Sequence, residues 1–247
     1  MKILITNDDG INSDGLNALV EALSNHEVWV VAPDRERSAS SQSITIKDPV
    51  RIHKLGERTY TCSGTPADCV VFSLNTVFEK MPDLILSGIN HGANLGIDLL
   101  YSGTAAAARQ GALVGIPSIA LSQCSYEPPF YFDRGAAFLA KNLDKLKALW
   151  HEDHFININI PNKSEGVLEA KITTPSQTRY IDRISTFTAP NDDLLCLMNG
   201  ERGAGDEDGH DFGAVDAGFV SISPVYLFPV NHREEEVYRK AEFKKLS

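Results

Sequence analysis

Hydrophobic and polar positions alternate along this chain in two registers, and the switches between them mark its elements. Residues 2–6 (KILIT) form a short continuous apolar run, the pattern of a strand buried on both faces. Residues 14–25 (DGLNALVEALSN) place Leu16, Leu19, Val20 and Leu23 at helical spacing on one face. Residues 27–32 (EVWVVA) return to a strand pattern, ended by Pro33. This β-α-β opening predicts a parallel sheet with right-handed crossovers. A polar loop follows at 38–45 (SASSQSIT). Residues 50–62 read as a hairpin, VRIHK and RTYTC around Leu55-Gly56-Glu57. A helix then starts with Thr65 as N-cap, Pro66 at its first position and Asp68 returning to the cap, and runs to about Lys80. Beyond it come a strand at 83–87 (DLILS) and a Gly/Asn-rich loop at 88–103. The helix TAAAARQGALVG, the strand IPSIALS, a helix over 132–150 and a strand at 154–160 (HFININI) complete this part.

After about residue 165 the pattern loosens. ITTPSQTRY, LLCLMNG and GFVSISPV read as strands separated by polar loops, and residues 200–211 (GERGAGDEDGHD) as a long acidic loop. The tail from Asn231 reads as an amphiphilic helix. Glu234–Glu236 lie at its start and Lys244–Lys245 at its end, as the helix macrodipole favours. The expected organisation is a core over 1–165 that carries the site and an extension over 166–247 that serves as an oligomerisation arm, the whole acting as a single functional domain.

Composition narrows the function classes. With 247 residues, 43% hydrophobic and 23% charged, the chain can bury a sizeable core. No apolar run approaches the roughly 20 residues that span a bilayer, and the N-terminal residues lack a signal-peptide pattern. The expected location is cytoplasmic. Cys62, Cys69, Cys124 and Cys196 are scattered and form no CxxC pair, so they read as small buried hydrophobes rather than a disulfide framework or zinc site. A net charge of −10 argues against a nucleic-acid duplex or an anionic membrane as partner. A small anionic substrate would need a local positive source.

In an open parallel sheet, ligands bind beyond the carboxyl ends of the strands. Three polar clusters fall there: Asn7-Asp8-Asp9-Gly10, Ser38–Ser43, and Ser87-Gly88-Ile89-Asn90. Asp8 and Asp9 are adjacent carboxylates at the mouth of a buried strand, an arrangement that is costly without a cation. Two carboxylates, a Ser hydroxyl and an Asn carbonyl form the all-oxygen set that Mg²⁺ or Mn²⁺ prefers. The plainer alternative for a lone DDG is one capping Asp and one solvated Asp; the other two clusters tip the balance to a metal. Tyr101-Ser102-Gly103-Thr104 enters a helix N-terminus, where backbone N–H groups suit phosphate, although a simple cap reads the same way. His91 lies in the same loop and can act as a general acid or merely face solvent.

Other motifs fail. There is no GxxxxGK[ST], no GxGxxG after the first strand and no GxSxG. His151-Glu152-Asp153-His154 is one residue short of HExxH and reads as a turn.

The stretches ILITNDDGI, VVAPDRERS, SGTPADCV, DLILSGINHGANLG, YSGTAAAA and AVDAGFVSISPV, in this order, resemble the SurE (survival protein E) family of metal-dependent nucleotidases. The resemblance implies a Rossmann-like three-layer α/β core with a mostly parallel sheet. It also implies a C-terminal extension of strands and a helix that packs on a neighbouring subunit, giving dimers or tetramers. It implies one divalent cation per subunit, Mg or Mn, held by Asp8, Asp9, Ser38 and Asn90, the same four as the oxygen-donor argument. It places Asn94, Ser102, Gly103 and Thr104 near the phosphate. The implied activity is hydrolysis of nucleoside 5′- and 3′-monophosphates, and of short polyphosphate, with Asp8 or Asp9 as the catalytic carboxylate. Ala39 stands where the family usually has Gly, Gln42 where it has Asn, and His210 where it has Thr. The alternatives are a metal-dependent nucleoside hydrolase and a non-catalytic nucleotide sensor. A haloacid-dehalogenase-type phosphatase needs D-x-D, which N-D-D does not supply.

Overall fold

The structure, a computed structural model, describes residues 1–177, 180–203, 209–228 and 235–241. In chain order, β1 (Lys2–Thr6), α1 (Asp14–Ala22) and β2 (Glu27–Pro33) form the expected β-α-β unit. The hairpin follows as β3 (Ile52–Lys54) and β4 (Thr59–Cys62), antiparallel and shorter than the sequence pattern suggests. In α2 (Pro66–Thr76), Thr65 and Asp68 form the full capping box around Pro66. Asp68 also accepts from Thr45 N–H at 2.9 Å and Thr45 Oγ1 at 2.6 Å, so one buried carboxylate pins both a helix start and the polar loop.

β5 spans Leu84–His91 and so runs to His91, where the strand read from sequence stops at Ser87. A register shift between Ser87 and Asn90 keeps it paired with β6 (Ser118–Cys124), so Asn90 and His91 stand on a strand rather than in a loop. A 3₁₀ turn (Gly96–Leu100) leads into α3 (Gly103–Leu113), and α4 (Phe132–Leu149) precedes β7 (His154–Pro161).

β8 (Ala170–Ile172) is the short remnant of the strand expected from ITTPSQTRY. β9 (Tyr180–Thr188) and β10 (Leu194–Arg202) form an antiparallel ribbon whose first strand the sequence pattern did not suggest. Two further unpredicted features are α5 (Asp211–Asp216) and the antiparallel docking of β11 (Val220–Tyr226) on β7. The terminal α6 covers Glu235–Arg239; Glu234, Lys244, Lys245 and the middle of the acidic loop, 204–208, lie outside the described residues.

The main sheet has nine strands in the order β3-β4-β2-β1-β5-β6-β7-β11-β8, parallel from β4 through β7. Strand alternation sorts its core. Ile3, Ile5, Val30, Ala32, Leu84 and Leu86 face α1 and α4, whereas Leu4, Val31 and Ile85 face α2 and α3. Helices on both faces make a three-layer α/β molecule, as the family resemblance implies. β1 sits between β2 and β5, the point where strand order reverses, and the carboxyl ends of β1, β2 and β5 converge there.

Candidate metal and phosphate site

The turn after β1 is built by Asn7. Its Nδ2 donates to Gly10 O at 3.0 Å and Ser13 Oγ at 2.6 Å, and its Oδ1 accepts from Gly10 N–H at 3.2 Å. Asn7 is fully buried, so this bracing holds Asp8 and Asp9 where the strand delivers them. The segment after β2 is tied to the same turn: Arg37 N–H donates to Asp8 O at 2.7 Å, and Ile11 N–H to Pro33 O at 3.0 Å.

Asp8 is 4% exposed. Its Oδ1 accepts from Thr104 Oγ1 at 2.6 Å, and Thr104 N–H also faces the carboxylate. Asp8 therefore sits on the N-terminal end of α3, where the helix dipole favours negative charge. Gly103 makes this approach possible: a Cβ there would lie 2.9 Å from both Asp8 Cβ and Asp8 Oδ2. Burial pushes the Asp8 carboxyl up to about 6, Thr104 opposes the rise and the Asp9 charge adds to it. Burial also raises Asp9, opposed by His91, whose Nδ1 lies 3.4 Å from Asp9 Oδ1. Asp9 Oδ2 is buried with no hydrogen-bond partner. Two adjacent carboxylates held at such cost, one with an orphaned oxygen, are the electrostatic signature of a cation site.

The remaining candidates differ in how they are placed. Asn90 Nδ2 donates to His91 O at 3.1 Å and Gly92 O at 3.0 Å, which leaves its Oδ1 open as an acceptor. Ser38 is exposed, and its Oγ donates to Glu36 Oε1 at 2.7 Å; its lone pairs stay available. Neither Ser38 nor Asn90 hydrogen-bonds to Asp8 or Asp9. Ser102 caps α3, its Oγ accepting from Ala105 N–H at 3.0 Å. Thr104 is fully buried and points at Asp8, a partner that sequence reasoning did not foresee.

Asn94 is held by a network that the sequence signalled only as polar letters in the strand HFININI. Asn94 N–H donates to Asn159 Oδ1 at 2.8 Å, Asn94 O accepts from Asn157 and Asn159, and Asn94 Nδ2 donates to Ser122 Oγ at 2.8 Å. A second brace is Asp211, fully buried, which accepts from Gly96 N–H at 2.8 Å and Ser176 N–H at 2.9 Å. The polar loop 38–45 leans on the start of α3, with Ser41 N–H donating to Tyr101 O at 3.0 Å and Arg109 Nη1 to Gln42 Oε1 at 3.0 Å. Ala39 in this loop adopts φ 55°, a left-handed conformation that favours glycine.

A cleft of about 500 Å³ opens beside Asp9, between the turn at Gly10–Asp14, the segment Asp34–Glu36 and His91. A larger groove of about 770 Å³ lies elsewhere, between α4 and the β8 edge; aliphatic side chains line much of it and none of the site residues borders it. Among the described residues, no three His, Cys, Asp or Glu side chains gather to hold a metal by themselves. The oxygen set expected from the sequence has only two carboxylates, with Ser38 and Asn90 as its other members. Among the described residues, no helix is long and apolar enough to cross a membrane.

Comparisons with known proteins agree on one family and on the fold. A family model described as survival protein SurE matches residues 3–182. The protein named 5′-nucleotidase SurE of Pelobacter propionicus is 39% identical over 241 residues, covering 96% of this chain and 98% of its own. Its namesake in Thermosipho melanesiensis is 39% identical over 251 residues, covering 98% of this chain and 96% of its own. The crystal structure of the SurE protein from Aquifex aeolicus superposes with a TM-score of 0.87 at 38% identity, covering 97% of this chain and 98% of that one.

Proposed function

The chain belongs to the SurE family, and from that premise we propose that it is a metal-dependent 5′-nucleotidase, a phosphoric monoester hydrolase that converts nucleoside monophosphates to nucleoside and phosphate. We extend the substrate range to 3′-monophosphates and short polyphosphate. The observation that carries the reading is the Asp8–Asp9 pair at the reversal point of the sheet, Asp8 buried and Asp9 partly so, with Asp9 Oδ2 lacking any partner. Asp8, Asp9, Ser38 and Asn90 fit a hard divalent cation, Mg²⁺ or Mn²⁺, because every donor they offer is oxygen. When bound, such a cation polarises the phosphoryl group and lowers the pKa of water.

The protein's own groups supply the rest. Asp8, fixed by Thr104, and Asp9, fixed beside His91, orient the attacking water, and one of them takes its proton. The N-terminal end of α3 offers Gly103 N–H and a positive dipole to the phosphoryl oxygens, while Ser102 N–H is held by Asp98 O and Thr104 N–H by Asp8. Asn94, locked by Asn157 and Asn159, fixes the wall of the site beside them.

The test is phosphate release from a panel of nucleotides. EDTA should abolish it, and added Mg²⁺ or Mn²⁺ should restore it. Turnover that survives EDTA, or release of free base in place of phosphate, would overturn the reading.

We further propose a homodimer or homotetramer. The β9–β10 ribbon exposes Ile181, Ile184, Phe187, Leu195, Leu197 and Met198, and an isolated two-stranded ribbon is marginal in water without something to cover it. The free cysteines suit a reducing, cytoplasmic compartment.

A further inference from the structure

His91 ends β5, one residue past Asn90. Side chains alternate along a strand, so His91 shares the face of Ile89, which packs into the core under α1 and α4, while Asn90 points to the other face. On that side the imidazole, its side chain still 32% exposed, packs against a pair of aromatic rings. The Phe130 and Phe132 rings approach it at centroid distances of 4.9 and 4.8 Å, at interplanar angles of 85° and 84°. The two phenyl rings are themselves stacked at 5.4 Å. Edge-to-face contacts have a preferred geometry, and two of them on one ring restrict its rotation about both χ angles. Phe132 opens α4 and is 5% exposed, and Phe130, in the segment before the helix, is partly buried against the same core.

The ring presents Nδ1 to Asp9 Oδ1 at 3.4 Å. The oxygens of Asp9 are thereby divided, Oδ1 facing the imidazole and Oδ2 buried without a partner. A carboxylate with one oxygen facing an imidazole and the other free is preorganised for a single cation contact, and partners that orient a ligand are worth a large factor in affinity. Resting on the nucleotidase reading above, we propose that His91, packed against Phe130 and Phe132, is a positioning residue that orients Asp9 through its Oδ1 and so aims Asp9 Oδ2 at the divalent cation. The imidazole touches neither substrate nor reacting atoms in this role; it acts through Asp9.

The experiment is a Mn²⁺ titration of the full chain without nucleotide, with free Mn²⁺ read by electron paramagnetic resonance. His91→Ala should weaken Mn²⁺ binding about 10- to 100-fold. His91→Asn, which keeps a donor near the position of Nδ1, should recover most of the loss, and KM for nucleotide at saturating Mn²⁺ should stay at the wild-type value. A packing role alone makes a different forecast: both variants lose thermal stability and bind Mn²⁺ as the wild type does. That result would overturn the proposal, as would an Asn variant no better than Ala. Should His91→Ala not fold, Phe130→Leu carries the test, since it removes one of the two ring contacts but keeps the imidazole. Binding weakened severalfold supports the role, and wild-type affinity refutes it. The titration needs no turnover. A wild-type protein that binds Mn²⁺ but releases no phosphate would sink the nucleotidase reading and still leave His91 decided by its Mn²⁺ affinities.

Discussion

Asp8 costs the folded chain stability so long as no cation neutralises it. Its carboxyl titrates at about 6 in the fold against an ordinary 3.8, because burial disfavours the charge. Below pH 3.8 the group is protonated in both folded and unfolded chains and costs nothing. As pH rises from 3.8 to about 6 the unfolded chain ionises first, and stability falls. Above about 6 the loss is complete, about 3 kcal/mol for that gap. Asp8→Asn, whose Oδ1 can still accept from Thr104, should therefore melt several degrees higher than wild type in EDTA at pH 7.5, with the difference gone near pH 3.5. The same variant should lose most phosphatase activity. Thermal denaturation across pH and a phosphate-release assay check the two halves. Gly103→Ala should also lose activity, because its Cβ would displace Asp8, and a crystal structure of the variant would show the shifted carboxylate. Ala39→Gly should do the opposite of a typical mutation. Relieving φ 55° is expected to stabilise by about 0.5–1 kcal/mol, the net of left-handed strain and glycine's entropy.

Among elements, the site is assembled by starts and ends. β1 and β5 end at it and α3 begins at it, so a parallel sheet with helical crossovers brings together residues as distant as 8 and 104. The helix starts were plain in the sequence, since Thr65-Pro66-Ala67-Asp68 and Ser102-Gly103-Thr104 carry local capping chemistry. The far end of β5 was not. Gly88 breaks the apolar run, and only the pairing of Asn90 with Ser122 and His91 with Gln123 across the register shift keeps the chain extended. α5 and β9 were missed for a related reason. α5 is six residues long with a half-polar sequence, and it is secured by Asp211 bonding to Gly96 and Ser176 from distant segments. At this scale Asp68→Ala is expected to cost at least about 2 kcal/mol. It strips the acceptor from the buried start of α2 and from Thr45 together, and urea denaturation would measure it.

For the molecule as a whole, metal and assembly are the two expected sources of added stability. A cation that binds only the folded state raises the melting temperature with its concentration, so Mn²⁺ should shift the transition upward and EDTA should return it. The β9–β10 ribbon should control assembly. Replacing Phe187 and Leu197 together with Lys should yield monomers by light scattering with the core sheet intact by circular dichroism; an unchanged oligomer would remove the ribbon from that role.

What the sequence determined by itself is whatever rests on local chemistry. Apolar period settles the alternation of strands and helices, caps settle the helix starts, and the adjacency of Asp8 and Asp9 announces a charge problem before any fold is known. What only the tertiary structure decided is how that problem is arranged. Thr104 turns to Asp8 instead of outward, Asn157 and Asn159 grip Asn94, and His91 lies beside Asp9 while packing edge-on against Phe130 and Phe132. Each of these pairs is far apart in the chain, and a polar side chain in a buried strand has no partner written beside it. The partner is chosen when burial removes water and every remaining donor must find an acceptor within reach.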